Sequence, residues 1–127
     1  MKRILIVTLS VLALAVGVCA AGRAVLCGAV DAAERLRAEA VLALDEGDAG
    51  RCGEALARMA TLWEDRRALL EMIASHDALH EVKVALSEAS ICLGCGDRDD
   101  FLRNMAIAAE GLAHLRDEQD ISLENLY

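Results

Sequence analysis

Apolar residues run unbroken through "ILIVTLSVLALAVGVCAA", Ile4 to Ala21, where Thr8 and Ser10 are the only polar side chains. From Asp31 onward they recur at intervals of three and four. The first pattern predicts a helix about 27 Å long at 1.5 Å per residue, close to the roughly 30 Å of a bilayer core. A helix apolar all round would need a larger protein to bury it in water, so the stretch reads as a membrane segment. Lys2 and Arg3 flank it on the cytoplasmic side by the positive-inside tendency, which places the remainder of the chain outside.

The second pattern predicts amphipathic helices. "VDAAERLRAEAVLALDEGD" carries helical spacing and stops at Gly47. Cys52, Leu56, Met59, Trp63, Leu70 and Ile73 then form a stripe in which only Arg66 intrudes. Ser75 is a candidate N-cap for a third helix with Leu79, Val82, Leu86, Ala89 and Leu93 on its inner face, ending at Gly94 and Gly96. Asp97 is placed to cap a fourth, with Asp99 and Asp100 in the first turn, where carboxylates suit the positive end of the helix dipole. Its stripe is Phe101, Met105, Ala108, Leu112 and Leu115.

Superimposing Gly47-Asp48 on Gly96-Asp97 brings Cys52 onto Phe101, Leu56 onto Met105, Met59 onto Ala108 and Trp63 onto Leu112. Both halves then read helix, Gly-Asp turn, helix, a pair of αα-hairpins. Two units fall short of the three or so that a solenoid needs. The expected fold is therefore all-α. An N-terminal transmembrane helix (residues 1–28) leads into a compact antiparallel bundle of three to four helices (residues 29–127), tetratricopeptide-like at most in its hairpins.

Composition supports helices over sheets. The 127 residues contain no proline and three aromatics, Trp63, Phe101 and Tyr127, and alanine and leucine, the strongest helix formers, abound. All 21 acidic residues lie from Asp31 onward, against ten Lys and Arg, a balance of −11, while the first thirty residues carry +3. Such a body repels nucleic acid, and no basic patch with interleaved aromatics offsets it. A cleavable secretory signal ending near Val18-Cys19-Ala20 is the competing reading of the N-terminus. Apolar character continuing through "AVLCGAV" past Arg23 favours a retained anchor. A lipoprotein signal is disfavoured because Val18 and Leu26, rather than small residues, precede Cys19 and Cys27.

Candidate chemistry centres on "ICLGCGDRDD", where Cys92 and Cys95 make a C-x-x-C. Zinc needs four ligands, and the nearest histidines, His76 and His80, lie twelve or more residues upstream on the same predicted helix, about 18 Å away. Redox cysteines favour helix N-termini, whereas these sit in a last turn. Two small residues at a helix-ending turn is the favoured reading, with a short-range disulfide the alternative in an oxidising compartment. Five cysteines leave at least one unpaired, against a disulfide framework. His76 and His80, beside Asp77 and Glu81, could form a pH-sensing or metal-touching patch, but read more simply as surface histidines. Trp63 could line a ligand groove and reads more simply as core. No phosphate loop or nucleophile elbow occurs, so no catalytic, cofactor-binding or metal-binding residue is assigned and the chain reads as a non-enzyme.

The chain resembles the small family catalogued as domain of unknown function 4363, found chiefly in spore-forming and related Gram-positive bacteria. The resemblance rests on the apolar stretch after Lys2-Arg3, Trp63 among charges, "SHDALHEVKVALSEA" from Ser75 to Ala89, the Asp97–Asp100 turn, and the closing "ISLENLY" with Asn125 before Leu126. It differs in Leu69 and Leu70, where relatives often carry another tryptophan, and in the C-x-x-C. The resemblance implies a membrane-anchored helical exodomain and transfers no catalytic residue. The expected role is a protein–protein interaction module at the outer face of a bacterial membrane, with the lipid bilayer and an unidentified protein as partners. The alternatives are an exported thiol or metal protein using Cys92 and Cys95, and a helical groove for lipid or another small apolar ligand.

Overall fold

The first long helix does not stop where the apolar stretch ends. In the computed structural model, α1 (Lys2–Asp45) runs unbroken through 44 residues. α2 (Ala49–Asp65), α3 (Arg67–Ile73), α4 (His76–Cys95) and α5 (Arg98–Leu126) follow. The structure describes residues 1–126, with side chains except those of residues 73 and 119–126. The side chain of Ile73 in the expected stripe and those of the closing "ISLENLY" therefore lie outside what is described. Every residue from Met1 to Ala21 is exposed, and the buried face of α1 begins at Leu26 and continues through Ala29, Val30, Ala33, Ala40 and Ala43. The expected boundary at residues 28 and 29 carries no break in the backbone. All described elements are helical, and the expected all-α bundle of two hairpins is what forms.

The hairpins are built on two matching turns. Gly47 and Gly96, 49 positions apart, both have positive φ (77° and 73°). The Gly47 amide donates to the Leu44 carbonyl and the Asp48 amide to that of Ala43 (3.0 and 2.8 Å). The Gly96 amide donates to Leu93 and the Asp97 amide to Cys92 (3.2 and 2.9 Å). Each is a Schellman ending, in which a residue without Cβ takes the left-handed conformation and frees the next amide to reach back across the turn. Immediately afterwards the carboxylates cap the following helices. Asp48 Oδ1 accepts from the Arg51 amide at 3.0 Å, and Asp97 Oδ1 from the Asp100 amide at 3.1 Å.

The correspondence extends beyond the turns. At the same offset, Ala29, Val30, Ala33 and Ala40 of α1 match Ala78, Leu79, Val82 and Ala89 of α4, and all eight are buried. The four aligned pairs of α2 and α5, Cys52 with Phe101 through Trp63 with Leu112, are buried too. The faint repeat in the sequence is thus a repeat of buried positions.

α1 packs chiefly on α2 and α4 chiefly on α5. The halves join where α5 runs antiparallel to α1, with Arg98 paired to Asp45 at one end and Arg116 to Asp31 lower down. Since α4 opposes α5 and α2 opposes α1, α2 and α4 are also antiparallel, and α2 against α4 closes the ring of four. Both Gly-Asp turns lie at the end away from the apolar stretch. α3 and the start of α4 lie at the near end, where the Ser75 amide donates to Glu118 Oε2 at 3.3 Å.

α2 and α3 were expected as one helix. The chain instead turns at Arg66 (φ −104°, ψ 3°), the one residue that interrupted the stripe. Beyond the turn Leu70 lies in the core at 1% exposure. Ser75 precedes α4 as expected, but its side chain makes no cap bond.

Asp48→Ala and Asp97→Ala should each destabilise the body by about 1 kcal/mol, the usual loss of a capping oxygen, while Ser75→Ala should be nearly neutral. Urea titration of the three variants checks the ranking. A second prediction concerns the α4/α5 contact. A Cβ on Gly111 would meet Val82 Cγ2 at 2.7 Å, with the Val82 amide and the Ala78 carbonyl within 3.8 Å. Gly111→Ala should therefore destabilise, overpacking of about 1–3 kcal/mol outweighing a helix-propensity gain of about 1 kcal/mol. With Val82→Ala already present, the sign should reverse and Gly111→Ala should stabilise. A double-mutant cycle in thermal melts reads the sign.

Candidate functional site

The weakest seam of the ring is α2 against α4. At the turn end it is closed, with Leu93 Cδ2 at ordinary contact distance, 3.8 Å, from where a Cβ on Gly53 would stand. Toward α3 it opens into a groove of about 410 Å³. Its apolar wall is Leu56, Trp63, Leu70, Leu79 and Leu86. One rim is α4, where His76, His80, Lys83, Ser87 and Ser90 follow each other at helical spacing. The other is Glu64, Arg67 and Glu71, with Ala60 above.

Trp63 combines the two readings weighed for it. It is 8% exposed and part of the core cluster, and its remaining surface lines the groove. His76 and His80 are exposed on the rim. Arg67 is held between two carboxylates, its Nη1 3.3 Å from Glu64 Oε1 and its Nε 3.1 Å from Glu71 Oε1, and both raise its pKa, the hydrogen bond to Glu71 most. Arg67, Lys83 and the two serines were not singled out from sequence. The signal was present, since the polar run at positions 76, 80, 83, 87 and 90 flanks the stripe at 79 and 86.

The cysteines differ in burial. Cys52 is fully buried in α2, and burial pushes its thiol pKa up. Cys92 is half-buried in the last turn of α4 and accepts a contact from Asn104 Nδ2 at 3.7 Å. Cys95 is exposed, and both are free thiols. His76 and His80 stand at the opposite end of α4 from this pair. Among the described residues, no group of three or more His, Cys, Asp or Glu is placed to hold a metal ion. Desolvation raises the Cys92 thiol pKa, and the carboxylates of Asp100 and Asp97 raise it further, while the Asn104 contact lowers it.

A thiol held protonated reacts slowly with disulfide reagents, because the thiolate is the nucleophile. Asp100→Asn should shift the pH profile of Cys92 modification to lower pH, by removing one of the charges that disfavour the thiolate. Cys52 should stay unmodified until the chain unfolds. Rates with a disulfide reagent across a pH series, read by peptide mass spectrometry, check both.

Comparison with protein-family models, with curated proteins and with solved structures finds no match for the chain.

Proposed function

We propose that the chain is a single-pass, membrane-tethered helical protein, with the N-terminus cytoplasmic and the acidic body outside. It acts through contacts with other molecules rather than through catalysis. One observation carries this reading. The apolar first part of α1 is exposed along its whole length, and the same helix continues into the bundle. In water that surface would be a large apolar patch. In a bilayer it is satisfied, since a helix bonds its own backbone internally. Lys2 and Arg3 at the start and the acid-rich body beyond Asp31 support the orientation. The resemblance to domain of unknown function 4363 implies the same arrangement. A protein partner at the membrane face is the proposed client of the body, whose exposed apolar residues include Leu42 and Ile91.

The full-length chain should stay with membranes through an alkaline carbonate wash. Exposed Cys95 should react with a membrane-impermeant maleimide in intact cells, with the labelled Cys95 peptide absent from Cys95→Ser. Recovery of the uncut chain in the soluble fraction would overturn the anchor, and labelling of Cys95 only after lysis would overturn the orientation.

A further inference from the structure

We propose that the groove between α2 and α4 takes one acyl chain of an anionic phospholipid from the bilayer in which α1 stands, with the head group at the His76–His80–Lys83 rim. The proposal rests on the membrane reading of α1 and goes beyond it by assigning a ligand to the body.

Position is the first argument. α2 has 17 residues and returns along α1 for about 24 Å, to around the level where the buried face of α1 begins. Beyond it, α3 packs on α1 at the end nearest the apolar stretch. There Leu69 and Met72 face solvent, Met72 at 81% exposure. The open end of the groove, lined by Leu70 and His76, is at this same end. Apolar surface thus recurs from the span, over α3, to the groove wall.

Size and shape are the second. The groove follows α4 from His76 to Ser90, about 21 Å of helix. Its 410 Å³ falls within the roughly 300–1,000 Å³ of small-molecule sites. That is the scale of a single acyl chain. A slot between antiparallel helices with leucines and a tryptophan on its wall suits a flexible methylene chain.

Charge is the third. In a body this acidic, an anion has few places to go. On the α2/α3 rim the carboxylates of Glu64 and Glu71 are engaged by Arg67. The α4 rim presents Lys83 with two imidazoles at the groove's lower half. The acidic head group therefore lies against α4.

Trp63, the chain's one tryptophan, reports directly on occupancy. Its level on α1 is roughly 5 Å beyond residue 28, where the expected span ends, and mid-chain bromines of the surrounding bilayer lie deeper still, farther from it than those of a chain in the groove. Full-length protein would be reconstituted into lipid nanodiscs of phosphatidylcholine with increasing phosphatidylglycerol brominated mid-chain. The expected result is quenching of Trp63 that saturates with phosphatidylglycerol. Ser87→Phe, which fills the slot from an exposed position, should lose most of that quenching. Lys83→Glu should raise the phosphatidylglycerol fraction required about two- to fivefold, the scale of one exposed charge contact. Undiminished Trp63 emission in disc-bound protein, or quenching that survives Ser87→Phe, overturns the groove assignment while leaving the anchor intact. A polypeptide retained by the wild-type groove but not by Ser87→Phe, without quenching, also overturns it, in favour of a protein occupant. A chain that fails to migrate with the discs overturns the anchor and the groove assignment together.

Discussion

α1 carries two kinds of surface on one rigid rod. Its first part is exposed on every side and its second part is buried along one stripe, with no break between them. Because a helix transmits orientation along its axis, the direction in which the apolar part points fixes the direction of the whole ring of helices. α2 can only return alongside it, and α5 can only lie antiparallel to it, pinned by Arg98 on Asp45 and Arg116 on Asp31. These pairs are exposed, and such contacts contribute only about 0–1 kcal/mol each. They set register, and the alanine-lined stripe of α1 supplies the packing. A flexible linker after Ala21 would have left the body free to tumble. The continuous helix instead presents one particular end of it, α3 with the start of α4, toward the apolar part.

The ring has strong and weak seams for a reason that lies in side-chain size. Within each hairpin, small residues let the backbones approach closely. Gly111 brings α5 against Val82 and Ala78, and alanines line the facing stretch of α4. Between the hairpins, α2 and α4 meet through larger groups: Leu56 and Trp63 on one side, Leu79 and Leu86 on the other. At the turn end, Leu93 of α4 lies against Gly53 of α2. Two hairpins, each built to close on itself, leave a wedge where they meet. A third repeat could have filled it, and here α3 covers part of its lower end.

The fold was legible wherever a local rule decides. Apolar spacing located the long helices, and Gly-Asp located both turns because positive φ followed by a capping carboxylate is a requirement of those two positions. Asp97 could be named as a cap for that reason. The break at Arg66 was visible only as an interruption in a stripe. Whether a helix bends there depends on Leu70 finding the core, and that is a tertiary question. Ser75 was a sound candidate cap, yet its amide is drawn to Glu118 of α5, a partner 43 residues away that no local pattern identifies. The groove was half legible. Trp63 and the two histidines were noticed separately, but Lys83 and Arg67 acquire meaning only once α2 and α4 are set side by side.

The C-x-x-C shows why a motif needs its surroundings. At a helix N-terminus the dipole and a nearby cation would favour the thiolate. Here the pair ends a helix, and desolvation raises the Cys92 thiol pKa, with the charges of Asp100 and Asp97 raising it further. Those aspartates are where they are because α5 needs a cap and an acidic first turn. The requirement that stops α4 and starts α5 thus adds to what burial already does against the thiolate at Cys92. The features that suit binding gather at the opposite end of α4, where Trp63, His76, His80 and Lys83 surround the seam that the hairpins leave open.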